Sequence, residues 1–211
     1  TTTACTGLCS NGLCEEERTN FIPPSSLYLE ANKFFSFYFP FANFNRSLSV
    51  LFSNFSDGTS FFRFRNNSYQ STSYSFGEFS NELTLAPFEG ILITSSQNRT
   101  LLLNGTSYLT SPPLSLYGGF NLVGIGACAS NYTARTILEE LSLLSPNCSL
   151  IQQPNTYGGP IEYWSTNSSL NRTGLKRDFK IYLYEPFFIQ CRENTSLIWQ
   201  PSCISPDVLL P

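Results

Sequence analysis

The chain has 211 residues and a net charge of −3, and only 13% of its residues are charged although 41% are hydrophobic. Proteins average about 25% charged residues, so this surface needs another source of solubility. The acidic balance excludes the basic face that nucleic acids require, and the absence of histidine excludes Ser–His–Asp and Cys–His catalysis and histidine-bound zinc.

The N-terminal segment, residues 1–20, is polar and contains three of the seven cysteines, Cys5, Cys9 and Cys14. We expect this segment to be irregular and cross-linked. A metal site is the weaker alternative, because no second cysteine cluster has the matching spacing, and we expect neither a metal nor a cofactor.

The remainder of the chain is predicted to be one domain, residues 21–203, because no domain-sized change of composition interrupts it. Residues 204–211 are predicted to be an exit linker. The chain contains no methionine and no apolar stretch of about 18 residues, so we expect a processed piece of a longer protein whose membrane anchor lies outside this chain.

The first half of the domain shows the period-two alternation of β-strands. Aromatic-rich strands are predicted over residues 26–44 and 47–55. Asp57-Gly58 predicts a hairpin turn into a return strand over 61–65, with Arg63 and Arg65 on its outer face, and Asn104-Gly105 predicts another hairpin.

A buried strand is predicted after Gly118-Gly119, over residues 120–125. Gly124 and Gly126 do not complete a dinucleotide-binding fingerprint, which needs a third glycine and a following helix, so a close-packed strand or bulge is favoured. Strands about 8–12 residues apart, with turn residues between them, predict an all-β sandwich or barrel.

One short helix is predicted over residues 136–144, because Thr136 and Glu139 match a capping box and Pro146 ends the apolar pattern. A strand is the competing interpretation. Residues 152–175 are predicted to be a polar insertion, and the alternation over 179–184 predicts a strand, followed by a second strand that runs into Cys191.

Ten N-x-Ser/Thr sequons are present, whereas this composition gives about four by chance. N-linked glycans are bulky and solubilising, so they would replace the missing charge, and accidental sequons in a Ser/Thr/Asn-rich chain are the alternative. The predicted glycosylation sites are Asn45, Asn54, Asn66, Asn98, Asn104, Asn131, Asn147, Asn167, Asn171 and Asn194.

In a glycosylated chain the cysteines are predicted to form disulfides, which places the protein in an oxidising, extracellular environment. The favoured pairs are Cys191–Cys203 and Cys128–Cys148, each worth roughly 3 kcal/mol. The odd number of cysteines leaves one free or bonded to another chain, and the sequence does not determine the connectivity.

Glycoside hydrolysis needs only a pair of carboxylates and no histidine. The seven glutamates that qualify occupy no recognisable motif, and Glu139-Glu140 is most simply a solvated helix face, so we expect no enzyme. The candidates are Glu78, Glu82, Glu89, Glu139, Glu140, Glu162 and Glu185. Calcium is not expected, because the chain has only three aspartates.

Binding has better candidates, since glycan sites and protein interfaces use aromatic side chains beside fixed polar groups. Tyr157, Tyr163 and Trp164 flank a glycine-rich turn and are predicted to form a ligand-binding platform, unless Trp164 merely covers the core. A second candidate combines Arg63 and Arg65 with Tyr69; its alternative is an ordinary exposed strand face.

Three stretches resemble the N-terminal domain of the coronavirus spike's receptor-binding subunit, an enveloped-virus attachment glycoprotein. They are the aromatic strand over 27–41 after the Pro-Pro break, the Asn-Gly hairpin over 102–108, and the aromatic strand over 180–203 that enters a short closing disulfide. They cover about a quarter of the chain, and the three N-terminal cysteines depart from that family's pattern.

The resemblance implies a galectin-like β-sandwich that is lectin-like in its binding and that displays its glycans on a virion surface. It implies binding of a host cell-surface glycan or protein receptor, viral attachment to the host cell, and assembly into an oligomeric spike. The alternative is a non-viral extracellular module for adhesion or ligand binding in the secretory pathway, also without catalysis.

Overall fold

The computed structural model describes residues 9–10, 13–14, 26–38, 46–65, 68–103, 112–154, 161–167, 173–182 and 185–202. Within these ranges the chain is a disulfide-stabilised all-β sandwich with two α-helices, where the sequence predicts one. In the N-terminal segment, β1 (Cys9–Ser10) and β2 (Leu13–Cys14) form a short antiparallel pair.

A five-stranded antiparallel sheet, called here the N-terminal sheet, is built from the first half of the domain. Its strands in spatial order are β4 (Phe34–Tyr38), β9 (Gly90–Ser95), β6 (Thr59–Arg65), β7 (Ser68–Ser75) and β8 (Glu78–Phe79). β6 and β7 form a hairpin, whereas β9 inserts between β4 and β6.

A three-stranded antiparallel sheet, the small sheet, contains β3 (Ser26–Leu29), β10 (Arg99–Leu103) and β5 (Phe52–Ser53). The one-turn helix α1 (Leu48–Leu51) precedes β5. The predicted strand over 47–55 is therefore present only at Phe52–Ser53, and Asp57-Gly58 forms a turn but no hairpin between β5 and β6. Leu48 and Leu51 are both buried at helical spacing, and β5 pairs with β10 instead of β6.

The small sheet and α1 pack on one face of the N-terminal sheet and enclose the N-terminal core. Strand alternation supplies this core, because every second side chain of β3, β9 and β6 turns inward. Phe61 lies at its centre, with ring centroids 5.5 Å from Phe52 and 6.0 Å from Phe55. Aromatic packing of this kind stabilises beyond the burial of area alone.

A second five-stranded sheet, the C-terminal sheet, contains the longest strands. In spatial order these are β11 (Leu114–Val123), β15 (Phe187–Trp199), β12 (Cys148–Gln152), β13 (Glu162–Ser165) and β14 (Leu175–Lys176). The predicted strands over 120–125 and before Cys191 are confirmed, and part of the predicted polar insertion joins the sheet as β13 and β14.

A bulge interrupts β11, where its register with β15 shifts between Tyr117 and Gly119. Gly119 has φ +88°, which favours glycine. The buried side chain of Asn121 closes the bulge, because its Oδ1 accepts from Tyr117 N at 2.9 Å and its Nδ2 donates to Tyr117 O at 2.8 Å. The bulge or close-packed strand is predicted at Gly124 and Gly126, whereas the bulge lies at Gly119 and β11 ends before Gly124.

Helix α2 (Ala134–Leu144) covers one face of the C-terminal sheet and encloses the C-terminal core. Ile137, Leu138 and Leu141 are buried, as their spacing predicts. The capping box is formed by Thr133 and Thr136, so the N-cap lies three residues before the predicted cap. A 3₁₀ helix (Gly126–Asn131) leads into it.

The two predicted disulfide pairs are wrong, because Cys148 bonds Cys191. These cysteines are register partners on β12 and β15, so sheet pairing places their sulfurs in reach of each other. Cys128 is also disulfide-bonded, to a cysteine whose side chain lies outside the described residues. Three of the four cysteines predicted to be bridged are therefore confirmed, and Cys203 lies outside the described residues.

The two cores meet at Tyr38. It is the last residue of β4 in the N-terminal sheet, and its side chain is buried in the C-terminal core. Its ring stacks on Phe88 at 5.5 Å between centroids and lies flat against Gly124. A Cβ at Gly124 would come within 2.1 Å of the Tyr38 ring, so only glycine permits this contact.

Candidate functional site

The predicted aromatic platform is not assembled as one surface. Tyr163 and Trp164 are neighbours on β13, so they point to opposite faces of the C-terminal sheet. Tyr163 is only 5% exposed, and Trp164 packs against the C-terminal core. Tyr157 lies outside the described residues. The alternative interpretation, in which Trp164 covers the core, therefore describes its position.

The second predicted cluster is also divided between two faces. Tyr69 opposes Phe64 across the β6–β7 hairpin, whereas Arg63 opposes Gln70. Arg63 and Arg65 thus share the face of Phe61, not an outer face, and Tyr69 lies on the other one. The structure brings Arg65 to Tyr117 instead, a residue of β11 that the sequence does not connect with it.

The sequon asparagines that the structure describes lie at the surface. Asn147 is partly exposed and the other five are exposed: Asn54, Asn98, Asn131, Asn167 and Asn194. Asn45, Asn66, Asn104 and Asn171 lie outside the described residues. Exposure is what attachment of a bulky glycan requires, so these positions are compatible with glycosylation.

A shallow cleft lies where the N-terminal sheet meets the residues that follow β12 and the segment before β15, and we call it the junction cleft. Its polar and aromatic lining comes from distant parts of the chain: Ser36, Gln153, Lys180, Tyr182 and Glu185. Pro186 and Phe187 contribute apolar lining. Sites between structural units are common positions for ligands.

Residues 179–182 orient two of these side chains. Phe179 O accepts from Ala134 N at 2.9 Å, and Ile181 N donates to Tyr132 O at 3.1 Å. These backbone hydrogen bonds hold the segment against the C-terminal core. The side chains of Phe179 and Ile181 are buried there, so the alternating residues Lys180 and Tyr182 point outward. The predicted alternation is present, but the predicted strand is not, because residues 179–182 form only an isolated bridge at Lys180.

The charged side chains of the cleft have no ion pair or side-chain hydrogen bond within the described part of the chain. Lys180 is exposed, and Tyr182 is 54% exposed. Desolvation raises the pKa of the Glu185 carboxyl above its ordinary value, and no neighbouring charge offsets it. The cleft thus offers an ammonium donor, a carboxylate acceptor and an aromatic ring to a ligand.

A second, smaller depression lies between the end of β6 and β11, and we call it the arginine pocket. Arg65 Nη2 donates to the Tyr117 hydroxyl at 2.8 Å, which raises the pKa of Arg65 and lowers that of Tyr117. Glu89 lies beside them, 8% exposed, with its Oε2 accepting from Ala86 N at 2.7 Å. Burial raises the pKa of Glu89, although Arg63, Arg65 and Arg46 act in the opposite direction.

Most of the glutamates considered for catalysis have structural contacts. Glu139 pairs with Arg135, Glu162 with Arg177, and Glu82 accepts from Ser49 N. Glu140 is not a solvated residue, which corrects that expectation. Its Oε1 accepts from Trp199 Nε1 at 2.9 Å and its Oε2 from Ser202 Oγ at 3.0 Å, and Tyr132 donates to it as well.

Within the described ranges, no group of three Cys, Asp or Glu side chains is placed to hold a metal ion. None of the helices in the same ranges is long and apolar enough to cross a membrane. No protein-family model, curated protein or solved structure matches the chain.

Proposed function

We propose that this chain is a heavily N-glycosylated extracellular receptor-binding domain of a viral surface glycoprotein. It attaches to a host cell-surface glycan or protein receptor and catalyses no reaction. The viral part of the proposal rests on the resemblance of three stretches to the coronavirus spike domain. The binding part rests on the geometry of the junction cleft.

The observation that carries the binding proposal is the convergence of Lys180, Tyr182 and Glu185 in one cleft. Charges that are largely buried are normally paired, as the 14%-exposed Glu162 of β13 is with Arg177 beside β14. Lys180 and Glu185 have no such pairing in the described chain. An exposed aromatic ring that lines the same cleft as an unpaired cation and an unpaired carboxylate supports a recognition site there.

The extracellular part is supported by the Cys148–Cys191 disulfide and by the exposed sequons. A glycan coat also accounts for a chain with only 13% charged residues. Mass spectrometry of protein from a secretory host is expected to show glycans on most sequons. Bare asparagines would overturn this part of the proposal.

The binding test uses the glycosylated domain in a cell-binding assay and on a glycan array. Tyr182→Ala, Lys180→Ala and Glu185→Gln are each expected to lower binding, with Tyr182→Ala reducing it at least about tenfold. Tyr28→Ala is the matched control, because Tyr28 is 58% exposed but lies on the small sheet. Its binding is expected to equal that of the wild type.

Two outcomes would contradict the proposal separately. A domain that binds no cell, glycan or receptor protein would refute the receptor-binding function. A domain that binds, but to the same extent in all three cleft variants, would refute the junction cleft as its site.

A further inference from the structure

Phe76 is the most exposed large hydrophobic residue in the described part of the chain, with 95% of its surface accessible. It lies with Gly77 in the two-residue turn that joins β7 to β8, where Ser75 pairs with Glu78. A phenyl ring in water at the tip of a hairpin adds nothing to either core. Its position therefore has no explanation in the packing of this chain.

The backbone of this turn is also unfavourable for phenylalanine. Phe76 has φ +53° and Gly77 has φ +86°, and positive values at both central positions are those of a type I′ turn. Type I′ turns strongly prefer Asn-Gly, Asp-Gly or Gly-Gly, and a bulky residue in the left-handed region is an outlier. Outliers of this kind cluster at functional sites.

The hairpin holds the backbone of Phe76 in this conformation before any partner arrives. Phe76 N donates to Asp57 Oδ1 at 2.9 Å, so the turn before β6 supports the tip. Below the tip, the rings of Phe55, Tyr74 and Phe79 pack with centroids 4.8 to 5.2 Å apart. An aromatic residue on a supported turn loses only side-chain freedom on binding, which suits an interface anchor.

The charges around the tip limit the kind of partner. Asp57 and Glu78 are both exposed beside Phe76, and neither forms an ion pair within the described ranges. Residues 66–98 contain no lysine or arginine. Membrane-binding surfaces place basic residues beside their apolar ones, and these acids do the opposite. The tip therefore fits an apolar protein pocket whose rim carries basic side chains.

The tip is distant from the junction cleft. Ser36 of β4 lines the cleft, and β4 and β8 are the two edges of the N-terminal sheet. These edges are four strand spacings apart, roughly 19 Å. A protein interface of standard size covers this distance, whereas a single sugar does not.

We propose that Phe76 and its flanking carboxylates form a second contact with the receptor, distinct from the junction cleft, and that this receptor is a protein. Phe76 enters an apolar pocket of that protein, and basic side chains at the rim of the pocket pair with Asp57 and Glu78. The inference rests on the proposed receptor-binding function and narrows its ligand from a glycan or protein to a protein.

The test compares Phe76→Asn with the wild-type glycosylated domain in two measurements. Asn-Gly suits a type I′ turn, so the variant is expected to raise Tm by about 2–4 °C. It is also expected to weaken binding to the cells used for the cleft variants at least about tenfold. Phe76→Tyr keeps an aromatic ring and should retain most of the binding. A gain in stability together with a loss of binding excludes damage to the fold.

Leu143→Gln is the matched control, because Leu143 is 82% exposed but lies in the last turn of α2. Its cell binding should equal that of the wild type. Glu78→Gln should weaken binding about threefold at low ionic strength and less at high salt. Trypsin treatment of the cells should abolish binding, whereas enzymatic removal of their N-glycans should not.

Some outcomes would overturn this inference and leave the proposed function intact. One is unchanged binding by Phe76→Asn when Tyr182→Ala lowers it, and another is binding that survives trypsin or is lost with the N-glycans. Phe76-dependent binding to phosphatidylcholine–phosphatidylserine vesicles would assign the tip to a membrane, and Phe76-dependent dimerisation in sedimentation would assign it to a second copy. A wild-type domain that binds no cell would instead refute receptor binding itself, and this inference with it.

Discussion

The two cores of this protein are stabilised by different means. The N-terminal core is a cluster of apolar side chains with Phe37, Phe52 and Phe61 fully buried, and no cysteine lies between residues 15 and 127. The C-terminal core combines α2 with the Cys148–Cys191 disulfide and with the hydrogen bonds of Glu140. Covalent and polar links therefore reinforce the part of the molecule that contains the longest strands.

Removal of the Cys148–Cys191 disulfide should have the largest effect, and it should destabilise the C-terminal core more than the N-terminal core. The two cysteines are 43 residues apart, so a Cys148→Ser, Cys191→Ser double variant is expected to lose about 4 kcal/mol of unfolding free energy. Both tryptophans, Trp164 and Trp199, contact the C-terminal core. Urea unfolding followed by tryptophan fluorescence should therefore shift to lower urea concentration.

Amide hydrogen exchange at Ile91 and Ile93 provides the internal control, because both lie in the N-terminal core. Their exchange should accelerate less than that of Ile189, which lies in the C-terminal core. Equal acceleration in both cores would show that they unfold as one unit, and the contrast between them would be lost.

Replacement of Glu140 should have the next largest effect. Glu140→Ala removes the acceptor of Trp199 Nε1 and one of the hydrogen-bond partners of the Tyr132 hydroxyl, which is expected to cost about 2 kcal/mol. The neighbouring Glu139 forms only an exposed pair with Arg135, so Glu139→Ala should cost about 0.5 kcal/mol or less. Thermal melts of the two variants make the comparison, and equal losses would contradict the anchoring role of Glu140.

The smallest effect is expected from Glu89, beside the N-terminal sheet. Burial raises its pKa in the folded protein, so the folded state binds its proton more tightly than the unfolded state. Its contribution to stability is therefore present at low pH and falls as the pH rises from the ordinary glutamate value through the raised one. Glu89→Gln should flatten this part of the Tm–pH profile. A Glu89→Gln profile parallel to that of the wild type would show that Glu89 is not desolvated.

Local patterns predict much of the fold, because strand alternation and helical spacing reflect burial directly. Residues 187–191 and Ile137 to Leu141 lie as their periodicity predicts. Residues 47–55 do not, since a single helical turn buries Leu48 and Leu51 and breaks the period of two. Strand pairing is not local either, so the sequence could not place β9 between β4 and β6 or join Cys148 to Cys191.

The sites were less predictable than the fold. The outward alternation of Lys180 and Tyr182 is visible in the sequence, but the junction cleft also needs Ser36, far away along the chain. The arginine pocket requires Arg65 to meet Tyr117, 52 residues away. The glycine-rich turn beside Tyr163 predicts an exposed aromatic side chain at that position. Tyr163 is buried instead, because of tertiary packing that no short sequence pattern encodes.

The contact between Tyr38 and Gly124 has a mechanical consequence. Tyr38 and Ser36 are alternate residues of β4, so the same strand face touches Gly124 at one point and lines the junction cleft at the other. The Tyr38 ring contacts the backbone of Gly124 directly. Gly124 has no side chain that could change rotamer when the two sheets move relative to each other. We therefore expect a shift of either sheet to change the width of the cleft, and a ligand bound at the proposed site to oppose that shift.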